Sequence, residues 1–312
     1  MDSSTKINKL SPVFARHETF HPRFGWLKKG YDAAVENNNI FLEDDAAVIL
    51  GVGKNMVRSI RYWCSAFDIL NEVPRKGGGK ESKPTDFGNK LLANDGWDPY
   101  LESNSSLWLL HWKLVQPNNI ATAWDYTFNK FHLSEFMESQ LLQSLNDYIK
   151  KEYPSNVISP ASIKKDVNCL FRMYTRDIRN KSNEANEETL DCPFSDLGII
   201  ERIVDSHYYS FNVGYKDGLE PEVVVAMCLD FITYQNTSAN TIALSRLLHD
   251  PGSPGLIFKL TENDIYESIE IVSKKIKEIA ISESAGIIQL SFNNNPQKIS
   301  LDLLDLFFNE NI

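Results

Sequence analysis

Apolar residues recur at helical spacing along most of the chain. Trp26, Tyr31, Ala34 and Val35 share one helix, which the polar run "ENNN" breaks. A short helix is predicted over residues 44–50, with acids in its first turn where the helix dipole favours them, and Gly51 ends it. A longer helix is predicted over residues 53–67, with Met56, Val57, Ile60, Trp63, Cys64 and Phe67 on its apolar stripe. Helix, glycine-containing turn, helix is the outline of a helix-turn-helix. The basic, glycine-rich stretch "EVPRKGGGKESKP" follows, where a wing would lie.

Beyond it, the serines at 103–106 offer a cap for a strongly apolar helix carrying Leu107, Trp108, Leu110 and Trp112. His111 falls inside that helix and reads as a satisfied core histidine. Two more helices are predicted within residues 121–151, broken at "HLSE". Ser159 and Pro160 mark another start, with Ile163, Val167, Leu170 and Tyr174 forming one stripe. "NEANEETLDCP" reads as a loop. Thr261 and Asp264 form a capping-box pattern, and Ile265, Ile269, Val272, Ile276 and Ile279 follow as one amphipathic helix. "GIIQLSF" is a predicted strand, and helix followed by strand suggests a second winged-helix-like unit.

The predicted fold is therefore mainly α. It has a helix-turn-helix or winged-helix-like N-terminal domain, a helical middle, and a second α-rich domain with a few short strands. Residues 1–150 are expected to form the first domain and residues 155–312 the second. No internal repeat is visible in the letters.

Composition agrees with a globular protein: 42% of the 312 residues are hydrophobic and 24% charged. Cys64, Cys169, Cys192 and Cys228 lie scattered, as expected of reduced, buried thiols in a cytoplasmic protein. No apolar run reaches membrane-spanning length, and the segment beginning "MDSSTKINKL" has no apolar signal region. The net charge of −10 is unevenly spread: residues 1–92 hold 14 Lys/Arg against 11 Asp/Glu, leaving 18 against 31 in the remainder. An N-terminal surface able to meet an anion follows from that asymmetry. Within the acidic half, residues 161–181 carry six basic and two acidic side chains.

Two motifs fail on inspection. "HETFH" fits H-E-x-x-H, but a zinc peptidase needs both histidines on one helical face. Pro22 disfavours the helical conformation at His21, and the longer pattern finds Phe24 and Leu27 where Gly and His belong. An alternative is that Glu18 caps the following helix and His17 satisfies a buried backbone group. "GVGKN" is not a phosphate loop either, because Val48 replaces the first glycine and Asn55 replaces the Ser or Thr. What remains is a helix whose outer face is expected to carry Lys54, Asn55, Arg58, Ser59 and Arg61. Such side chains read base edges or hold phosphates, unless they form only a solvated basic face.

Several segments together resemble an uncharacterised-domain family found with DNA phosphorothioation systems: "HETFHPRFGWLKKGYDA", "LGVGKNMVRSIRYW", "DPYLE" followed by "LWLLHW", "SIKKDVNCLFRMY" and "DCPFSDLGII". They span nearly the whole chain. His21 is outside the family pattern. The resemblance implies a DNA-nicking protein with Mg²⁺ as cofactor. It would work with a cysteine desulfurase, an ATP-using sulfur-transfer enzyme and an ATPase. The nick would admit sulfur in place of a non-bridging phosphate oxygen.

Within those segments Glu18, Asp98 and Glu102 are the expected magnesium ligands. His17 and Glu18 are the expected catalytic pair, with His17 as general base. Arg23 and Lys28 would hold phosphate, beside Lys54, Asn55, Arg58 and Arg61. Asp98 before Pro99 also suits a turn, and Glu102 suits a helix start. No paired D…E-x-K nuclease motif is visible. Two alternatives stay open: a DNA-recognition subunit that does not cut, and a scaffold whose acidic half docks a basic partner.

Overall fold

The computed structural model describes residues 11–117, 119–175, 192–235 and 239–311. Residues 183–191 of the predicted loop, and Arg176, Arg179 and Lys181 of the basic run, lie outside the described residues, as do residues 1–10. The fold is mainly α with a few short strands.

In the first unit, α1 (Trp26–Glu36) buries Trp26, Leu27, Tyr31 and Ala34. Short α2 (Ala46–Ile49) turns through Gly51 into α3 (Lys54–Ala66). A Cβ at Gly30 would stand 2.6 Å from Cys64 Sγ and 2.7 Å from Ile60 Cγ2. Glycine there lets α1 approach α3. The predicted wing exists: β1 (Leu70–Pro74) pairs antiparallel with β2 (Lys80–Pro84), Leu70 opposite Pro84. Gly77, Gly78 and Gly79 all have positive φ and make the turn that side chains would resist.

α4 (Asp86–Leu92) and α5 (Asn104–Leu114) follow; Ser103 caps α5 as its sequence suggests. A second unit then runs through α6 (Thr122–Asn129), β3 (Glu135–Met137), α7 (Glu138–Glu152), α8 (Pro160–Tyr174), β4 (Ile200–Arg202) and β5 (Tyr208–Phe211). Its sheet has the order β3-β5-β4, antiparallel throughout. The third unit comprises α9 (Pro221–Gln235), β6 (Thr241–Ala243), α10 (Leu244–His249), α11 (Pro254–Phe258), α12 (Glu262–Ser273), β7 (Ile279–Ser284) and β8 (Ile287–Phe292). Its sheet order is β6-β8-β7, and α13 (Pro296–Asn311) packs on α9.

In both sheets the first strand pairs with the last, helices lie between (two in the second unit, three in the third), and a hairpin closes the unit. That is winged-helix topology. The second winged unit in the C-terminal half is as expected, whereas the middle one adds a three-stranded sheet to the predicted helices. The letters show no repeat, but the topology repeats. One apolar cluster joins residues from Trp26 to Phe308, and α7–α8 packing with β3–β5 pairing bridges residues 150–155.

Local details depart from the sequence pattern in three places. Ser59 is fully buried instead of outward, because α3 is covered on that side as well. The Ile265–Ile279 stripe is not one helix: α12 ends at Ser273, and Ile279 opens β7. Glu18 does not cap α1, whose N-terminal cap is Gly25 without a side-chain bond.

Candidate nucleic-acid interface

The loop before α1 carries positive φ at three non-glycine residues, Ala15 (59°), Glu18 (49°) and Thr19 (68°). Such conformations persist only where surroundings impose them. The Val13 amide donates to Thr122 Oγ1 (2.9 Å) and the Ala15 amide to Asp166 Oδ1 (2.7 Å). His17 Nε2 lies 3.0 Å from the same carboxylate oxygen. Trp63 Nε1 donates to the Phe20 carbonyl (3.0 Å), and the Arg172 guanidinium donates to the Thr19 carbonyl.

His17 is 0% exposed and packs among the rings of Tyr62, Trp63 and Trp124. Its partner is the Asp166 side chain, not the backbone group weighed from the sequence. Burial pushes the Asp166 carboxyl above the usual carboxylate range, against the opposing pull of His17 and the Ala15 amide. A general base must reach the proton it takes. His17 has no open surface, so the expected role as base gives way here to that of holding the loop. His21 is also buried, with Nδ1 3.3 Å from the Pro22 carbonyl. Residues 16–19 form a turn and Phe20 and His21 follow in irregular chain, so no helix carries both histidines, which removes the zinc-peptidase geometry.

Glu18 remains accessible, 33% exposed, with its carboxylate 3.6 Å from the guanidinium of Arg58, itself 69% exposed. Lys54 and Asn55 are exposed in the first turn of α3. These three α3 side chains are presented to solvent as expected. Arg61 is not: it donates to Glu72 through Nε (3.0 Å) and NH2 (2.5 Å), and to the Lys80 carbonyl (2.9 Å). The wing strands supply both partners. Lys28 pairs with Asp32 at 2.6 Å, and Arg23 lies over the rings of Phe20 and Trp26.

Asp98 is 2% exposed. Its Oδ1 accepts from the Glu102 amide (3.0 Å), and Oδ2 accepts from the Ser103 amide (2.9 Å) and Ser106 Oγ (2.6 Å). It clamps the start of α5, while the Glu102 side chain points to solvent. Among the described residues no group of three or more His, Cys, Asp or Glu side chains is arranged to hold a metal ion. Glu18, Asp98 and Glu102 therefore do not fit one magnesium site.

His111 is a core residue as expected: Nδ1 meets Tyr174 Oη at 2.7 Å and Nε2 meets the Ile257 carbonyl at 3.1 Å. A cleft of about 770 Å³ near Asp68, Lys113, Phe231 and Tyr234 lies away from all the candidate residues. The sequence reading missed the outward cations of α8, although the basic run at residues 161–181 signalled them.

Residues 14–308 match the family described as Protein of unknown function (DUF4007). The chain belongs to the DUF4007 family. No curated protein matches this DUF4007 chain. Two solved structures resemble it closely. The magnesium ion-bound SspB crystal structure shares 37% identity at a TM-score of 0.90, covering 96% of this chain and 88% of that one. A second SspB crystal structure shares 36% identity at a TM-score of 0.89 with the same coverage. Among the described residues, no helix is long and apolar enough to cross a membrane.

Proposed function

We propose that this DUF4007 chain works in a DNA phosphorothioation system as its DNA-nicking component. Similarity to SspB supports membership of that system. The observation that carries the DNA reading is the exposure of Lys54, Asn55 and Arg58 at the start of the second helix of a helix-turn-helix. That end of α3 faces the loop bearing Glu18. Cations there would hold phosphates and Asn55 would reach base edges. The partners implied are a cysteine desulfurase, an ATP-using sulfur-transfer enzyme and an ATPase.

The magnesium-bound relative supports a Mg²⁺ requirement. Magnesium keeps several waters and needs only one or two carboxylates; Glu18 and Glu102 are both accessible, and Glu18 is the one beside the α3 cations.

A supercoiled-plasmid assay with Mg²⁺ tests the activity. Conversion to open circles by pure protein is expected, reduced in Lys54→Ala/Arg58→Ala. Absence of nicking at every Mg²⁺ concentration would contradict it. The enclosure of His17 and the clamping role of Asp98 favour a second reading, a recognition subunit that binds DNA without cutting. Binding without nicking would select it.

A further inference from the structure

A cationic hollow outside α3 lies on α8. Asp166, Val167, Leu170 and Tyr174 turn into the core, so Lys164, Lys165, Asn168 and Arg172 face outward on one side of the helix. They line a cleft of about 680 Å³ with Arg202 at the end of β4. Four cations meet one carboxylate there, Glu138. With the Asn168 amide turned so that both its ends are satisfied, Asn168 donates to Glu138. Among the described residues Lys164, Lys165, Arg172 and Arg202 form no ion pair. On α3, by contrast, Arg61 is bound by Glu72 and Arg58 faces Glu18.

Position reinforces charge. In the middle winged unit α8 is the second helix of the pair and β4–β5 is the hairpin, so the cleft lies between them. The cations stand out against a chain of net charge −10. Arg172 also holds the Thr19 carbonyl, and the neighbouring Glu18 faces Arg58. The cleft and the α3 surface therefore border one loop.

We infer that the α8–β4 cleft is a second DNA contact, gripping the phosphate backbone of the duplex bound at α3. This rests on the DNA reading above. Lys164 and Lys165 supply point charges to successive phosphates, and Arg202 flanks them from the hairpin.

The test measures anisotropy of a short fluorescein-labelled duplex of mixed sequence against intact protein across a salt series. Lys164→Ala/Lys165→Ala changes only exposed side chains, and circular dichroism checks its folding. The plot of log K against log salt is expected to flatten by roughly two, at about 0.9 per phosphate contact. Lys150→Ala/Lys151→Ala removes the same charge from α7, outside the cleft, and is expected to change the slope little. If the two pairs behave alike, or if only Lys54→Ala/Arg58→Ala weakens binding, the inference is overturned while the DNA reading stands. If the intact protein binds no duplex, both fall.

Discussion

His17 Nε2 sits 3.0 Å from Asp166 Oδ1, joining the loop before α1 to α8 across 149 positions of sequence. Both groups are buried, and the Ala15 amide shares the same oxygen. The strained backbone at Ala15, Glu18 and Thr19 is held against this clasp. Truncating one partner strands the other. His17→Ala is expected to cost roughly 1–3 kcal/mol in denaturant unfolding and to expose the loop to protease. Asp166→Asn, which can still accept from the Ala15 amide, is expected to cost less. Unchanged stability and protease resistance in His17→Ala would remove the clasp from the description.

The α1–α3 contact depends on a missing side chain. Gly30→Val puts carbon where Cys64 Sγ and Ile60 Cγ2 already stand. A loss of roughly 1–3 kcal/mol is expected from overpacking. Thermal unfolding followed by circular dichroism measures it, and no change would mean that the helices can part freely.

Alkaline stability should carry the mark of Lys259. Burial, and next the charge of Lys216, pull its amine down to about 7. The amine lies 4.3 Å from the Phe211 ring centre and donates to the Phe128 carbonyl (2.9 Å). Between about pH 7 and the ordinary lysine value the unfolded chain binds a proton that the folded chain does not. Stability from this group therefore rises with pH through that window. Lys259→Met is expected to flatten the rise in urea midpoints between about pH 7 and 10. An equal rise in the variant would refute the assignment.

His111 acts at the other end. Burial is the largest cause holding its pKa down, to about 3. Below the ordinary histidine value the unfolded chain takes up a proton that folded His111 refuses, so stability falls as pH drops toward 3. His111→Phe is expected to lower stability at neutral pH, since Tyr174 and the Ile257 carbonyl lose their partner, and to show a shallower acid decline. Urea midpoints from about pH 7 to 4 measure both effects, and a parallel decline would contradict the assignment.

Local signals were legible in the letters. Ser103, Ser159–Pro160 and Thr261–Asp264 mark helix starts because capping involves neighbours in sequence. Gly51 and the triple glycine mark turns for the same reason. The middle winged unit was hidden because its strands are three, three and four residues long. Alternation cannot show over so few positions, and β3 finds its partner β5 some seventy residues later.

Site chemistry was less legible, because burial and pairing are set at long range. His17 looks like a base until Asp166 and three aromatic rings enclose it. Asp98 looks like a ligand until the start of α5 draws on both its oxygens. Arg61 belongs by spacing to the outer face of α3, but Glu72 on the wing captures it. The basic run on α8 was visible as composition; only the inward turn of Asp166 shows which side its lysines take.

The most direct measurement of whether this molecule grips a duplex is the salt dependence of DNA binding by the intact chain. Log K falling linearly with log salt, with a slope steeper than about −3, is expected if several of Lys54, Arg58, Lys164, Lys165 and Arg202 meet phosphates together. No binding at low salt, or an affinity indifferent to salt, would contradict it.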